Sequence, residues 1–230
     1  MEGLWCIFTP SHSLHGEWAF RIIGRRLTFI NRLVDYLEAH DYPCRGEYYP
    51  YKALQFGYIV FGDYGCDSVM AMYLHCIMDS IYSYLEFKNR GLREKGYFTL
   101  NNMKCMPVSK LEEDKWLWKC TPKDNPYLGM TLTQEQLDEM LVKAVRDRVE
   151  RLLNEYLEAV KKVKGLIEKE EKISLPRELL KDMEAIASNR EFIRCASKSL
   201  IELKRKLSSE SLFRELAEDI AREVLSKARS

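Results

Sequence analysis

Residues 133–167 read TQEQLDEMLVKAVRDRVERLLNEYLEAVKKVKGLI, and an apolar side chain recurs in this stretch at every third or fourth position. That spacing places the apolar residues on one face of an α-helix. Thr133 and Gln136 predict a capping box at its start. A helix from about 133 to 171 would be roughly 60 Å long, which is more than a small domain can cover. The apolar positions are Leu137, Leu141, Val145, Val149, Leu152, Tyr156, Val160, Val163 and Ile167.

Two further apolar stripes follow this helix. The first runs from Leu179 to Leu207 after a restart at Pro176, and the second runs from Leu212 to Leu225. Long helices joined by short links pack as antiparallel hairpins. We therefore predict that residues 131–230 form an all-α arm, either a long helical hairpin or a three-helix segment with coiled-coil packing.

An arm of this length offers an apolar stripe to another protein. The partner is either a second copy of this chain or a different protein. Two tryptophans that alternate on one predicted strand before the arm are either core residues or part of the same interface. The predicted partner-binding residues are Leu141, Val145, Leu152, Tyr156, Trp116 and Trp118.

Residues 1–130 have a different composition from the arm. They contain all four Trp, 12 of the 13 Tyr, ten of the 11 Gly and six of the seven Cys. Aromatic sequence that is interrupted by glycine is typical of mixed α/β structure. Local patterns predict the order strand, helix, strand, strand, helix, strand, with one extra strand. This order predicts an α+β fold in which an N-terminal ferredoxin-like domain, or a related α/β sandwich, spans residues 1–130.

The individual elements of this head domain follow from its apolar runs and turn residues. Helices are predicted from Glu17 to near His40 and from a cap at Asp63 or Asp67 to just before Gly91, and a turn is predicted at Gly62–Gly65. The predicted strands are Leu4–Phe8, Glu47–Tyr51, Ala53–Phe61, Tyr97–Leu100 and Lys115–Cys120.

The charge balance excludes some functions. The chain carries 36 Lys and Arg against 35 Asp and Glu, for a formal net charge of +1. Proteins that bind nucleic acid through bulk charge have an excess of basic residues, so nucleic-acid binding here requires a local patch. No run reaches the roughly 18 apolar residues of a membrane span, and the first residues lack the pattern of a signal peptide. We therefore expect a cytoplasmic protein with no membrane partner.

The seven cysteines include no Cys-x-x-Cys pair, which makes a zinc ribbon or a thioredoxin-type motif improbable. Buried free thiols are the expected state. Glutamine occurs only three times while Glu, Lys and Arg are abundant, which is a tendency of hyperthermophile proteins. The predicted source is a hyperthermophilic archaeon or its virus, and in such organisms intracellular disulfides are the alternative to free thiols.

Several acidic and histidine residues can be read as a catalytic site. Asp63 and Asp67, with Asp79 further along, can supply carboxylates to a two-metal nuclease, but turn formation and helix capping explain the same residues. His12 and His15 can hold a metal, but their place at a strand-to-helix junction favours loop and capping roles. We therefore predict no catalytic residue, no metal and no cofactor.

Aromatic and basic side chains interleave in two places. One is the predicted strand near residue 48, and the other is the basic side of the first predicted helix. Aromatic rings on a sheet can stack on splayed bases while nearby cations follow the backbone. An aromatic core and a solvated helix face are the alternative explanation. The predicted nucleic-acid-binding residues are Arg25, Arg32, Arg45, Tyr48, Tyr49 and Lys52.

These patterns favour a non-enzymatic interaction subunit. Its setting would be a protein or protein–nucleic acid assembly, in nucleic-acid handling or defence. The hypothesis rests on the lack of a catalytic constellation and on the apolar stripe of the arm. Two alternatives stay open: a metal-dependent nuclease or nucleotidyl-transfer enzyme that uses Asp63 and Asp67, and a module that binds single-stranded nucleic acid.

Overall fold

The computed structural model describes residues 10–34, 44, 46–112, 115–168 and 173–227. Its helices are α1 (His12–Ile23), α2 (Thr28–Val34), α3 (Tyr49–Lys95), α4 (Gln134–Glu168), α5 (Arg177–Ser188), α6 (Arg190–Leu207) and α7 (Glu210–Lys227). Between α3 and α4 come the strands β1 (Phe98–Leu100), β2 (Met103–Glu112), β3 (Lys115–Pro122) and β4 (Met130–Leu132). The strands form one antiparallel sheet in the order β1-β2-β3-β4.

The predicted α+β fold with an N-terminal ferredoxin-like domain, or a related α/β sandwich, is wrong. Among the described residues, those before Phe98 form helices and no strand, and the small sheet lies in the middle of the chain. The predicted helical hairpin or three-helix segment is also wrong, because four helices follow the sheet in the described part of the chain and the molecule is mostly helical. The predicted strand at Leu4–Phe8 lies outside the described residues.

Helix α3 contains the whole of the predicted strand Ala53–Phe61. It also contains the predicted strand Glu47–Tyr51, except for Glu47 and Tyr48. A continuous apolar and aromatic run fits a buried helix as well as a buried strand, so the local sequence does not distinguish the two. In the structure Ala53, Phe56 and Val60 are buried, and they recur at the three- and four-residue spacing of one helical face.

Helix α3 is broken at Gly65, within the predicted turn. Gly65 has φ 69° and ψ −155°, a conformation that glycine adopts without a steric penalty. The Ser68 hydroxyl lies 2.6 Å from the Gly65 carbonyl oxygen and 2.9 Å from that of Val60. A Cβ on Gly57 would stand 3.2 Å from Cε of Met72, whereas an unbroken helix would separate these residues by roughly 22 Å. The two halves of α3 therefore fold back on each other, and Gly57 permits their close approach.

The chain divides into two compact units. The sheet unit contains Ile81–Arg148 together with the described residues from Ala217 onward, and the helical unit contains Pro10–Ser80 and Val149–Leu216. The division that composition predicts at residue 130 stays a prediction.

The core of the sheet unit lies between one face of the sheet and the start of α4. Cys105 and Cys120 stand opposite each other in the register of β2 and β3 and are joined by a disulfide. Strand β3 includes the strand predicted at Lys115–Cys120. The buried cluster consists of Phe98, Leu100, Cys105, Trp118, Cys120, Leu132, Leu137, Leu141 and Ala144.

Helix α4 corresponds to the helix predicted from residue 133. The capping box is present, since the backbone N–H of Thr133 donates to Oε1 of Gln136 (3.0 Å) and that of Gln136 donates to Oγ1 of Thr133 (3.3 Å). Of its nine predicted apolar positions, eight are buried and Ile167 is exposed. The stripe that was expected to face a partner is therefore covered within this chain. In the part of the chain that the structure describes, no helix has the length and apolar character needed to cross a membrane.

Candidate metal centre

Two histidines and one aspartate meet in the interior of the helical unit. His15 lies on α1, while His75 and Asp79 lie one turn apart on the second half of α3. Each of the three residues is only 1% exposed. Nε2 of His15 is 3.3 Å from Oδ1 of Asp79, and Nε2 of His75 is 3.2 Å from Oδ2. One carboxylate therefore presents one oxygen to each imidazole.

Helix α1 places His15 on its buried face. The helix begins after Ser11, whose hydroxyl accepts a hydrogen bond from the backbone N–H of Leu14 (3.2 Å). It ends at Gly24, which has φ 85°, so the single helix predicted from Glu17 to near His40 is wrong. A left-handed glycine at this position is a common helix stop. The buried face consists of His15, Gly16, Trp18, Ala19 and Ile22.

The two imidazole rings lie face to face. Their centroids are 4.0 Å apart and their planes differ by 11°. Two stacked imidazolium cations would repel each other, and burial would strengthen that repulsion. The stacking of His15 and His75 therefore favours at least one neutral ring.

Asn31 contacts the ring nitrogen of His75 on the side away from Asp79. Oδ1 of Asn31, on α2, is 3.2 Å from Nδ1 of His75, and both residues are buried. With the amide in this orientation, a neutral His75 donates from Nδ1–H and directs its Nε2 lone pair toward Asp79. The Nε2 lone pair of His75 and Oδ2 of Asp79, 3.2 Å apart, would repel each other unless a cation or a proton lies between them. A hydrogen bond that holds the second nitrogen is the usual arrangement of a metal-binding histidine.

Asp79 is ionised in this environment. Burial by itself raises the pKa of Asp79, but the charge of His75 and the hydrogen bonds of His15 and His75 outweigh burial and hold that pKa well below its usual range. A buried carboxylate requires compensating positive charge, because removing it from water costs several kcal/mol.

The three side chains fit the ligand set of a transition metal. One atom from each of them lies within 4.8 Å of the others. Two ligands of a tetrahedral zinc ion, bound at about 2.0–2.1 Å, are about 3.3 Å apart, and the nitrogen–oxygen separations here are 3.3 and 3.2 Å. Two histidines with one carboxylate leave a coordination position open, as in catalytic zinc sites and the facial triads of non-haem iron.

Two buried tyrosines lie in the same unit. The rings of Tyr73 and Tyr156 are 5.0 Å apart, and neither hydroxyl has a hydrogen-bond partner among the described residues. Burial raises the pKa of both phenols well above its usual value, and the charge of Asp79 adds to the rise for Tyr156. Both hydroxyls therefore stay protonated, and the Tyr156 hydroxyl lies within the electrostatic reach of Asp79.

The predicted nucleic-acid-binding residues that the structure describes do not lie on a sheet. Arg25 follows α1 and pairs with Asp67 (3.2 Å), whereas Arg32 lies on α2, so one helix does not carry both. Tyr48 and Tyr49 lie at the start of α3, where the Tyr49 ring packs edge-on against Tyr156. Lys52 lies on α3. Arg45 lies outside the described part of the chain.

The aspartates of the proposed two-metal nuclease have different surroundings. Asp67 is partly exposed and pairs with Arg25, while Asp79 is buried against the two histidines. Asp63 lies on α3, and its side chain is outside the described part of the structure.

The predicted partner-binding residues are largely buried. Leu141, Val145, Leu152 and Tyr156 all lie in the interior on α4. Trp118 is buried and its Nε1 donates to Oε1 of Gln134 (2.8 Å), whereas Trp116 is 36% exposed.

Most of the buried histidine–aspartate cluster is not predicted from the sequence. The sequence predicts loop or capping roles for His15 and for His12, which is exposed in the structure, and it predicts no role for His75. The sequence feature that could have indicated this cluster is His75 four residues before Asp79 within an apolar helix. A histidine and a carboxylate one turn apart on a buried helical face require each other or a cation.

No protein-family model, curated protein or solved structure matches this chain. Its function is therefore inferred from the geometry of the buried histidine–aspartate cluster.

Proposed function

We propose that this protein binds a divalent transition-metal ion, with zinc and iron(II) as the best-fitting ions, through His15, His75 and Asp79. The observation that supports the proposal is a buried carboxylate facing two imidazole nitrogens at metal-ligand separations. Imidazole and carboxylate donors together suit both ions. Asn31 supports His75 from its other nitrogen, as a second-layer partner of a metal-binding histidine does.

A bound cation also accounts for the charges of the cluster. The stacked rings favour at least one neutral imidazole, while Asp79 is ionised and buried. A divalent ion would replace the charge of His75 as the cation beside Asp79 and would leave both rings neutral. Because each ligand must be deprotonated, binding of the ion weakens as the pH falls.

The ion would join helices that are distant in the sequence. His15 comes from α1, and His75 and Asp79 come from the second half of α3. Such an ion can also activate a bound water or polarise a carbonyl group. Because the three ligands are only 1% exposed, the main effect of the bound ion would be to cross-link α1 and α3.

This proposal takes precedence over the assembly subunit that the sequence favoured. That hypothesis rested on the lack of a catalytic constellation and on the apolar stripe of the arm, and eight of the nine stripe positions on α4 are buried in this chain. A protein partner of the C-terminal helices, a nucleic-acid ligand and an archaeal source stay sequence-based predictions.

The test is removal and return of the metal. We expect chelator-treated protein to take up one zinc or iron(II) ion per chain, measured by native mass spectrometry. At an ion concentration 100 times Kd the stabilisation is about 2.7 kcal/mol, which corresponds to a rise in Tm of roughly 5–11 °C for a chain of this length.

Matched variants separate this site from adventitious binding. His15→Gln and His75→Gln should each abolish the rise in Tm, while His12→Gln, an exposed change on the same helix as His15, should keep it. Asn31→Ala should weaken binding by about 10–100-fold, because it frees the His75 ring. A wild-type protein with no metal response, or a response that survives both His15→Gln and His75→Gln, would contradict the proposal.

A further inference from the structure

A basic groove lies in the helical unit. Its volume is about 520 Å³, which is within the range of small-molecule sites. The end of α4 lines one side, and α5 and α6 line the rest. The lining residues are Lys164, Ile167, Ala187, Arg190, Ile193, Arg194 and Ser197.

The three cations in this groove have no acidic partner among the described side chains. Within the described structure, neither Lys164 nor Arg190 nor Arg194 forms an ion pair or a hydrogen bond. Some other surface arginines of the helical unit are paired, since Arg21 pairs with Glu17 and Arg205 pairs with Glu202. Among the described residues, the groove therefore concentrates positive charge without a paired acidic side chain.

The positions of the three cations favour a shared anion. Arg190 and Arg194 are four residues apart on α6, so they lie on one helical face, where like charges repel. Lys164 reaches the same groove from α4. An anion bound among the three side chains would remove the repulsion. Phosphate suits arginine in particular, because guanidinium binds it through two parallel hydrogen bonds.

The remaining lining of the groove is mostly apolar. Ile193 and Ala187 are buried beneath it, and the exposed Ile167 contributes to its wall. The Ser197 hydroxyl donates to the Ile193 carbonyl oxygen (2.9 Å), which leaves its own oxygen free to accept. A ligand with both a phosphate and an apolar part would use the cations and the apolar surface together.

We propose that this groove binds an organic phosphate, that is, a small molecule in which a phosphate group is attached to an apolar group. The site is separate from His15, His75 and Asp79 and goes beyond the proposed metal binding. It is defined by Lys164, Arg190 and Arg194 over an apolar floor.

Calorimetric titration of the full chain with phenyl phosphate tests this proposal. We expect binding of one phenyl phosphate per chain, weaker binding of inorganic phosphate, and no binding of phenol. The double variant Arg190→Glu/Arg194→Glu should reduce the affinity for phenyl phosphate at least about tenfold, because it replaces two guanidinium donors to the phosphate by carboxylates that repel it.

A charge-matched control separates the groove from the overall charge of the surface. Lys161→Glu/Lys181→Glu makes the same change in net charge at exposed positions that do not line the groove, and it should leave the affinity within about twofold. Equal losses in the two double variants, or no binding of phenyl phosphate by the wild type, would overturn the proposal. Both variants should keep the zinc-dependent rise in Tm, so this test can fail without the metal proposal failing.

Discussion

The two units of this protein bury polar groups in different ways. The buried polar residues of the described structure, namely His15, Asn31, Ser68, His75, Asp79 and Ser199, all lie in the helical unit. The core cluster of the sheet unit is apolar apart from its disulfide. At its edge, Trp118 donates to Gln134, which in turn donates to Asp138 (2.9 Å). An apolar core is sufficient for folding, and the buried charges of the helical unit are the basis of the proposed metal site.

The units also differ in how their disulfides connect the chain. Cys66–Cys195 joins residues 129 positions apart in the helical unit, while Cys105–Cys120 joins residues 15 positions apart in the sheet unit. A longer closed loop loses more entropy in the unfolded chain when it is cross-linked. The Cys66–Cys195 disulfide therefore constrains the unfolded chain more than the Cys105–Cys120 disulfide does.

The largest expected effect comes from removing the long-range disulfide. We expect Cys66→Ala/Cys195→Ala to lower the free energy of unfolding by about 5 kcal/mol, and Cys105→Ala/Cys120→Ala to lower it by about 3 kcal/mol. Urea unfolding without reductant measures both. A larger loss for the short-range pair would show that the chain-entropy comparison between the units does not hold.

The next largest effect comes from the buried carboxylate. Asp79→Ala should lower the free energy of unfolding by about 3–5 kcal/mol, because it removes one partner of a buried charged cluster. The folded-state pKa of Asp79 is below its unfolded value. Its stabilisation is therefore complete above the unfolded pKa of about 4 and is lost as the pH falls toward the folded pKa. The difference between wild type and variant, measured by urea unfolding, should shrink below about pH 4.

A second variant distinguishes the role of the cluster from its contribution to stability. His15→Leu/His75→Leu/Asp79→Leu replaces the whole cluster by apolar side chains, which is often neutral or stabilising for a buried charged group. We expect this variant to fold and to lose the metal response. A single Asp79→Ala change that costs nothing would show that the cluster holds no buried charge.

The smallest effect is expected in the sheet unit. Trp118→Phe keeps an aromatic ring against Phe98 but removes the hydrogen bond to Gln134. The free energy of unfolding should fall by about 1 kcal/mol, the typical net contribution of one hydrogen bond. Metal binding in the helical unit should be unchanged. A loss as large as that of Asp79→Ala would mean that polar contacts matter equally in both units.

The sequence predicted some elements of the fold and failed at others for an identifiable reason. The spacing from Leu137 to Val163, with the capping box at Thr133, predicted α4, because a helix of this length repeats its pattern many times. The run Ala53–Phe61 was assigned to a strand because it is short, aromatic and apolar throughout. Its helical state depends on burial against Met72 and Phe192, which are distant in the sequence.

The candidate metal site was less predictable than the fold. His75 and Asp79 are one turn apart, so the sequence alone brings them together once α3 is assigned as a helix. His15 contacts them from a separate helix, and no local sequence pattern predicts that contact. Asn31 comes from yet another helix, α2, which the sequence analysis did not separate from α1.

The sequence by itself determined the near-neutral charge, the helix α4 with its apolar face, and the chain reversal at Gly62–Gly65, because these depend on residues close together in the chain. Tertiary structure alone decided that most of the α4 stripe is covered within the chain and that the run Ala53–Phe61 is helical. It also decided that His15, His75 and Asp79 share one buried position. The physical reason is that burial and long-range contact set both the helical state of an apolar run and the partner of a buried charge.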